Sequence, residues 1–187
     1  MKQPEVRVYA GPNGSGKSTL TQILGTFGHY INADEIQKQL AISNLKAAQT
    51  AEKMRNDAIA QSINFSFETV LSTDRNLKLL QKAKQQGYFI KVFYVLTKTP
   101  LVNLRRIQSR ITKGGHDVPR DKVISRYHKA LKLLPELIKV ADVIHIYDNS
   151  DEYVRIYKKR KSETFIFEES KNWTKDEILK LVSEGEV

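Results

Sequence analysis

The chain has 187 residues, 40% hydrophobic and 28% charged, which are proportions of a globular protein with a sizeable core, not of a disordered one. No run approaches the ~18 apolar residues of a membrane span, the opening Met1-Lys2-Gln3-Pro4-Glu5 lacks the apolar centre of a secretory leader, and with no cysteine there is no disulfide or thiolate chemistry, so a cytoplasmic protein without a membrane partner is expected. The net charge of +10 points instead to an anionic partner: a nucleotide-bearing substrate, an acidic protein or nucleic acid.

In chain order, Val6-Arg7-Val8-Tyr9-Ala10 reads as a short strand. It runs into Gly11-Pro12-Asn13-Gly14-Ser15-Gly16-Lys17-Ser18, a full G-x-x-x-x-G-K-[ST] match, and Thr19 opens a helical run to Leu24. A strand, glycine-rich loop and helix in this order point consecutive N–H groups and a helix N-terminus at one anion. Residues 11–19 are therefore the expected nucleotide-binding loop, with Lys17 reaching the β- and γ-phosphates of ATP or GTP and the Ser18 hydroxyl on Mg²⁺. Tyr30-Ile31-Asn32 reads as a brief second strand, followed by helices over about 34–41 and 45–62. Phe65-Ser66-Phe67-Glu68 is the third strand, with Ser72 or Thr73 capping a helix to Gln86. After Gly87, residues 88–96 form the strongest strand of the sequence. Pro100 begins a helix that the Lys113-Gly114-Gly115-His116-Asp117 segment interrupts, and Pro119 starts a long helix to about Lys139. A fifth strand covers 143–147, residues 153–157 and 164–167 alternate as edge strands would, and 173–182 is a terminal helix.

This alternation predicts one α/β domain over 1–187, built on a parallel sheet with extra C-terminal edge strands. A phosphate loop alone does not choose among kinases, GTPases and ATPases, so the remaining polar residues carry the decision. Asp34 could accept the proton of a hydroxyl that attacks the γ-phosphate. It could equally serve the helix dipole beside an Asn32/Glu35 capping pair, and spacing does not separate the two roles. Glu68 closes the third strand, and ligands of parallel sheets gather beyond the strands' carboxyl ends. Leu101, Leu104, Ile107 and Ile111 share one helical face with Arg106 and Arg110 opposite, beside a Gly-Gly hinge. Residues 105–126 thus have the design of a lid that closes two guanidiniums over a triphosphate. His29, His128 and His145 show no ligand spacing. Lys158-Lys159-Arg160-Lys161 is the one dense basic run; with no aromatic-rich RNA-binding signature beside it, a solvated surface is favoured over nucleic acid.

These residues resemble the zeta-toxin-like kinases, P-loop phosphotransferases of toxin–antitoxin systems. The likeness is carried by 11–19, Ile31-Asn32-Ala33-Asp34, Phe67-Glu68-Thr69, and the stretch from Arg106 through Gly114-Gly115-His116-Asp117-Val118-Pro119 to Arg126-Tyr127. The resemblance implies a P-loop NTPase fold like the nucleoside-monophosphate kinases, with a parallel five-stranded sheet in the order 2-3-1-4-5. It implies transfer of the ATP γ-phosphate, with Mg²⁺, to a hydroxyl of a nucleotide sugar such as UDP-N-acetylglucosamine, and an acidic antitoxin as partner. On that reading Asp34 is the base, Glu68 and Thr69 hold substrate, and Arg106, Arg110, His116 and Arg126 are candidate phosphate clamps in the lid. Three departures stand out: Val70 where the family often has a second Thr, Asn32 in place of a carboxylate, and a shorter Gly-Gly-His loop. A polynucleotide 5′-hydroxyl kinase, built of the same parts, and a non-catalytic nucleotide-binding ATPase are the rival readings.

Overall fold

The computed structural model describes residues 3–111, 118–167 and 170–185. Its centre is β1 (Glu5–Ala10), where buried Val6, Val8 and Ala10 alternate with Arg7 and Tyr9. On one side β1 pairs in parallel with β3 (Phe65–Thr69), which in turn pairs with β2 (His29–Tyr30). On the other it pairs with β4 (Phe89–Leu96), which pairs with β5 (Val143–Asp148), again in parallel. Parallel neighbours need long crossovers. These are α1 (Lys17–Leu24), α2 (Ala33–Leu40), α3 (Asn44–Ala60), α4 (Arg75–Gln85), α5 (Pro100–Ile111), α6 (Arg120–Lys132) and α7 (Leu134–Val140).

The expected five parallel strands and the extra C-terminal edge strands are present, but the sheet they form together needs correction, because it is mixed and not parallel. The order 2-3-1-4-5 is present, but within a mixed seven-stranded sheet, β2-β3-β1-β4-β5-β6-β7, completed by antiparallel β6 (Val154–Arg160) and β7 (Glu163–Ile166). Residues 149–153 and 161–162 are all that join these strands, too short for a crossover of about a dozen residues or more, so the chain can only fold back on itself. The single long helix expected from Pro119 to Lys139 is also two helices, α6 and α7, meeting at Leu133. Pro135 lies in the first turn of α7, where its missing N–H costs nothing; inside a continuous helix its ring would press on the carbonyl four residues back. Asp74 rather than Ser72 or Thr73 stands at the N-cap of the fourth helix, which ends at Gln85. The last helix, α8 (Lys175–Glu184), starts in a reciprocal capping box between Thr174 and Glu177.

The two faces of the sheet are dressed differently. Val6, Val8, Phe65, Phe67, Ile90, Val92, Tyr94, Leu96, Ile144 and Ile146 join residues of α2, α3, α4, α6, α7 and α8 in one large core. The opposite face carries a smaller cluster, in which Leu20 of α1 packs with Tyr9, Phe93 and Val95. No helix among the described residues is long and apolar enough to cross a membrane.

Candidate active site

The carboxyl ends of β1, β3, β4 and β5 lie along one edge, and the glycine-rich loop begins where β1 ends. Gly11 has φ +137°, and a Cβ there would collide with the Val95 carbonyl oxygen, so close passage beside β4 demands glycine. Gly16, at φ +103°, sits at the α1 N-cap against Asn149 and Tyr153. Those two side chains brace the loop from the far side of the sheet: Asn149 Nδ2 donates to the Ser15 carbonyl at 2.7 Å, and Tyr153 Oη to the Gly16 carbonyl at 2.6 Å. Both bonds hold loop carbonyls at the N-terminus of α1, and the Ser15 N–H donates to the Pro12 carbonyl at 3.3 Å. Lys17 Nζ donates to the Pro12 carbonyl at 3.0 Å, curling the side chain back over its own loop.

A cleft of about 420 Å³ opens over this edge. Asn13, Gly14, Gly16, Lys17, Ser18 and Thr19 form its floor, and Asp34, Glu68, Thr69, Val70, Arg106 and Arg110 its walls. The structure therefore gathers most of the residues singled out in the sequence. Burial pushes the Lys17 ammonium down to about 8; the Glu68 and Asp34 charges oppose that push and the Arg110 charge adds to it. Lys17 thus stands within the electrostatic reach of both carboxylates and of Arg110.

The two carboxylates are held differently. Ser18 Oγ donates to Glu68 Oε2 at 2.8 Å, and Tyr30 Oη donates to Glu68 Oε1 at 2.9 Å. Tyr30 accepts in turn from Asn32 Nδ2 at 2.7 Å. Burial, together with the Glu68 and Glu35 charges, raises the Tyr30 hydroxyl, so it stays protonated and remains a donor. Asn32 uses its other amide atom as the α2 N-cap, where Oδ1 accepts the Asp34 N–H at 2.8 Å. One amide therefore ties the Asp34 turn to the Glu68 carboxylate, and a carboxylate at position 32 could not donate to Tyr30. Asp34 itself is exposed at the cleft wall.

Thr69 is buried, and its Oγ1 accepts from the Leu71 N–H at 3.0 Å and from Asn76 Nδ2 at 2.8 Å. Both bonds steady the turn after β3, where Leu71 adopts φ +56°, strained for a branched side chain. On α5, Leu104 and Ile107 are buried as the helical phase predicted, but Leu101 is 51% exposed. Arg106 Nη2 donates to the Ser150 carbonyl at 3.1 Å, fastening α5 to the loop after β5, whereas Arg110 is exposed one turn further on. Arg126, half-buried on α6, does not line the cleft, and His116 lies outside the described residues. Tyr30, Asn149 and Tyr153 escaped the sequence reading; Asn149 alone had a signal, its place just past the carboxyl end of a strand.

The sequence profile of the zeta toxin family matches residues 27–162. The chain belongs to the zeta toxin family. The matched span starts beyond the glycine-rich loop, so loop and profile are separate observations. This zeta toxin chain is 32% identical over 125 residues to an uncharacterized protein of Haemophilus influenzae, covering 64% of this chain and 89% of that one. In fold it is similar to a chain from the PezAT chromosomal toxin–antitoxin system of Streptococcus pneumoniae, with a TM-score of 0.59 and 20% identity over 97% of this chain and 84% of that chain. It is similar as well to a chain of the AvrRxo1-ORF1:-ORF2 complex, with a TM-score of 0.74 and 14% identity over 97% of this chain, of which it spans 64%. A complex of those AvrRxo1 proteins has also been solved with ATP, at a TM-score of 0.73 and 16% identity to this chain. At these identities the structural likeness is one of fold.

Proposed function

We propose that this zeta toxin family member is a kinase that transfers the γ-phosphate of ATP, or of GTP, to a hydroxyl of a nucleotide sugar such as UDP-N-acetylglucosamine. The observation that carries the reading is the shared cleft, in which a phosphate loop and the Asp34 carboxylate face one space. The loop N–H groups of residues 14–18 and the Lys17 ammonium would hold the triphosphate. Ser18 and Glu68, whose oxygens stand 2.8 Å apart, form a hard oxygen pair of the kind Mg²⁺ takes together with phosphate oxygens, and the ion would neutralise charge on the phosphates. Asp34 would accept the proton as the acceptor oxygen bonds to the γ-phosphorus and the bond to the β-phosphate oxygen breaks, leaving the nucleoside diphosphate. Arg110 would stabilise charge on the phosphoryl group in transit, with Arg106, His116 and Arg126 as further lid candidates. Glu68, Thr69 and Val70 would bound the acceptor. The +10 charge and the fold shared with a toxin–antitoxin system support an acidic antitoxin as partner.

The test is to incubate the protein with γ-labelled ATP and a panel of nucleotide sugars, nucleotides and oligonucleotides, for wild type and Asp34→Asn. Transfer should fall by ~10²-fold or more in the variant while triphosphate affinity and melting temperature hold. Glu35→Gln is the control and should be nearly silent in both assays. A fully active Asp34→Asn enzyme would sink the proposed base, and label appearing on oligonucleotides alone would make the protein a polynucleotide 5′-hydroxyl kinase.

A further inference from the structure

The sheet face that carries α1 holds a second constellation, and none of its residues lines the cleft. Strand register sets Tyr9, Phe93, His145, Lys158 and Phe165 in one row across five strands, β1-β4-β5-β6-β7. The rings are continuous: Tyr9 stacks on Phe93 with centroids 5.3 Å apart, Phe93 on His145 at 5.4 Å, and His145 on Tyr147 at 6.4 Å. Cations lie over the rings, with Lys91 5.3 Å from the Phe93 centroid, Lys158 5.4 Å from Phe165 and Arg155 4.5 Å from Phe167. Leu20 of α1 packs on the Tyr9 and Phe93 end, while Phe165 at the other end is 45% exposed.

The charge of this face is one-sided. Lys91, Arg155 and Lys158 all act on His145, which together with its burial keeps the imidazole neutral. Of the carboxylates in these strand rows, Glu5 is already paired with Arg7 at 2.6 Å, Glu68 beside Tyr9 accepts from Ser18 and Tyr30 in the cleft, and Glu163 sits at the outer edge opposite Arg160. α1, with the sequence Lys-Ser-Thr-Leu-Thr-Gln-Ile-Leu, adds no acid. The basic run at 158–161 is divided by the strand: Lys159 turns away to donate to the Ile138 and Ala141 carbonyls, leaving Lys158 and Arg160 on the open face.

We propose that the β5–β6–β7 face is a binding surface for single-stranded nucleic acid, its cations meeting phosphates and its rings stacking on bases. Charge complementarity selects a polyanion, and the rings choose among polyanions. A carboxylate chain has no flat face to lay on Phe165, Phe167 or Tyr147, whereas every nucleobase has one. A duplex hides its base faces inside the stack, so stacking on an open sheet favours single strands. Cations that now lie over the rings can move to phosphate without breaking the core, since their stems start from the sheet surface.

The test is fluorescence anisotropy of the whole protein with a labelled single-stranded oligonucleotide of about 20 nucleotides, ample for one such site. Binding should weaken by about tenfold between ~50 and ~200 mM salt, as a few phosphate contacts dictate. Lys158→Glu should raise Kd at least tenfold, and the surface variant Phe165→Ala about fivefold with an unchanged salt slope, as loss of one stacked base predicts. Lys46→Glu, an exposed lysine on α3, should change Kd less than twofold. Lys17→Ala should bind as wild type does, which keeps this surface distinct from the phosphate loop. No binding at ~50 mM salt, loss of binding in Lys17→Ala, or equal weakening by Lys46→Glu and Lys158→Glu would each overturn the proposal. Displacement by polyglutamate with Phe165→Ala silent would overturn it in favour of an acidic polypeptide, and binding to anionic vesicles alone in favour of a lipid surface.

Discussion

The two faces of this sheet are made by the same strands, residue by residue, yet they do opposite work. On one, Phe67 is 0% exposed and sits in a core closed by six helices; on the other, Phe165 is 45% exposed and has a lysine for company. Alternation along each strand sends most apolar side chains one way and the charged ones the other, with aromatic rings on both faces, and the crossovers pack on the first side. The cleft lies on the edge between them, where neither packing rule holds and β3 and β5 end in Thr69 and Asp148. Stability is concentrated on one face, leaving the other face and the edge free to bind.

The largest difference should come from truncating a phenylalanine on each face. Phe67→Ala should cost ~3–5 kcal/mol in denaturant unfolding, through lost transfer energy and a residual cavity. Phe165→Ala should cost under ~1 kcal/mol, because water already reaches that ring. Similar costs would mean that the open face is covered in solution. At the edge, Arg110→Ala should lower kcat for phosphoryl transfer by ~10²-fold while leaving nucleotide affinity nearly unchanged, the mark of a contact made to charge in the transition state. Equal losses in affinity and rate would make Arg110 a ground-state anchor, and Arg106, already tied to Ser150, cannot take its place without releasing that bond. The smallest effect concerns acid. Burial and the surrounding cations lower His145 from 6.5 to about 4, so between those values the unfolded chain takes up a proton that the folded one refuses. Stability is therefore whole above pH ~6.5 and falls as the pH drops toward ~4, and His145→Phe should flatten that part of a melting-temperature profile.

What the sequence disclosed and what it hid divide along the same line. The loop and the cluster of Lys17, Asp34 and Glu68 were legible because each rests on local spacing or on strand ends, which parallel topology brings to one edge, whereas the strand order came only with the family resemblance. The break at Leu133 was obscured by helical periodicity that runs through it, although Pro135 marked the place. The division of 158–161 between two faces could not be read as a cluster, since a basic run looks like a patch until a strand splits it. Thr69 adds a role that spacing does not disclose: the hydroxyl expected to hold substrate also holds its own turn, through Leu71 and Asn76. Tyr30 and Asn32 were invisible as a pair because their bond matters only through Glu68, far along the chain.

The brace on the phosphate loop has a consequence in time. Asn149 is 134 residues from Ser15, and Tyr153 is 137 residues from Gly16, so the loop at the start of the chain gains its outer support only from the last parallel strand and the turn beyond it. Contacts of such separation form late, after the intervening chain has been ordered. A growing polypeptide emerging from the ribosome would carry the glycine-rich loop through the synthesis of the 134 residues from Ser15 to Asn149 without the side chains that fix its shape. Anion-holding geometry would then arrive with the whole sheet and not before, which ties any chemistry in the cleft to completion of the fold.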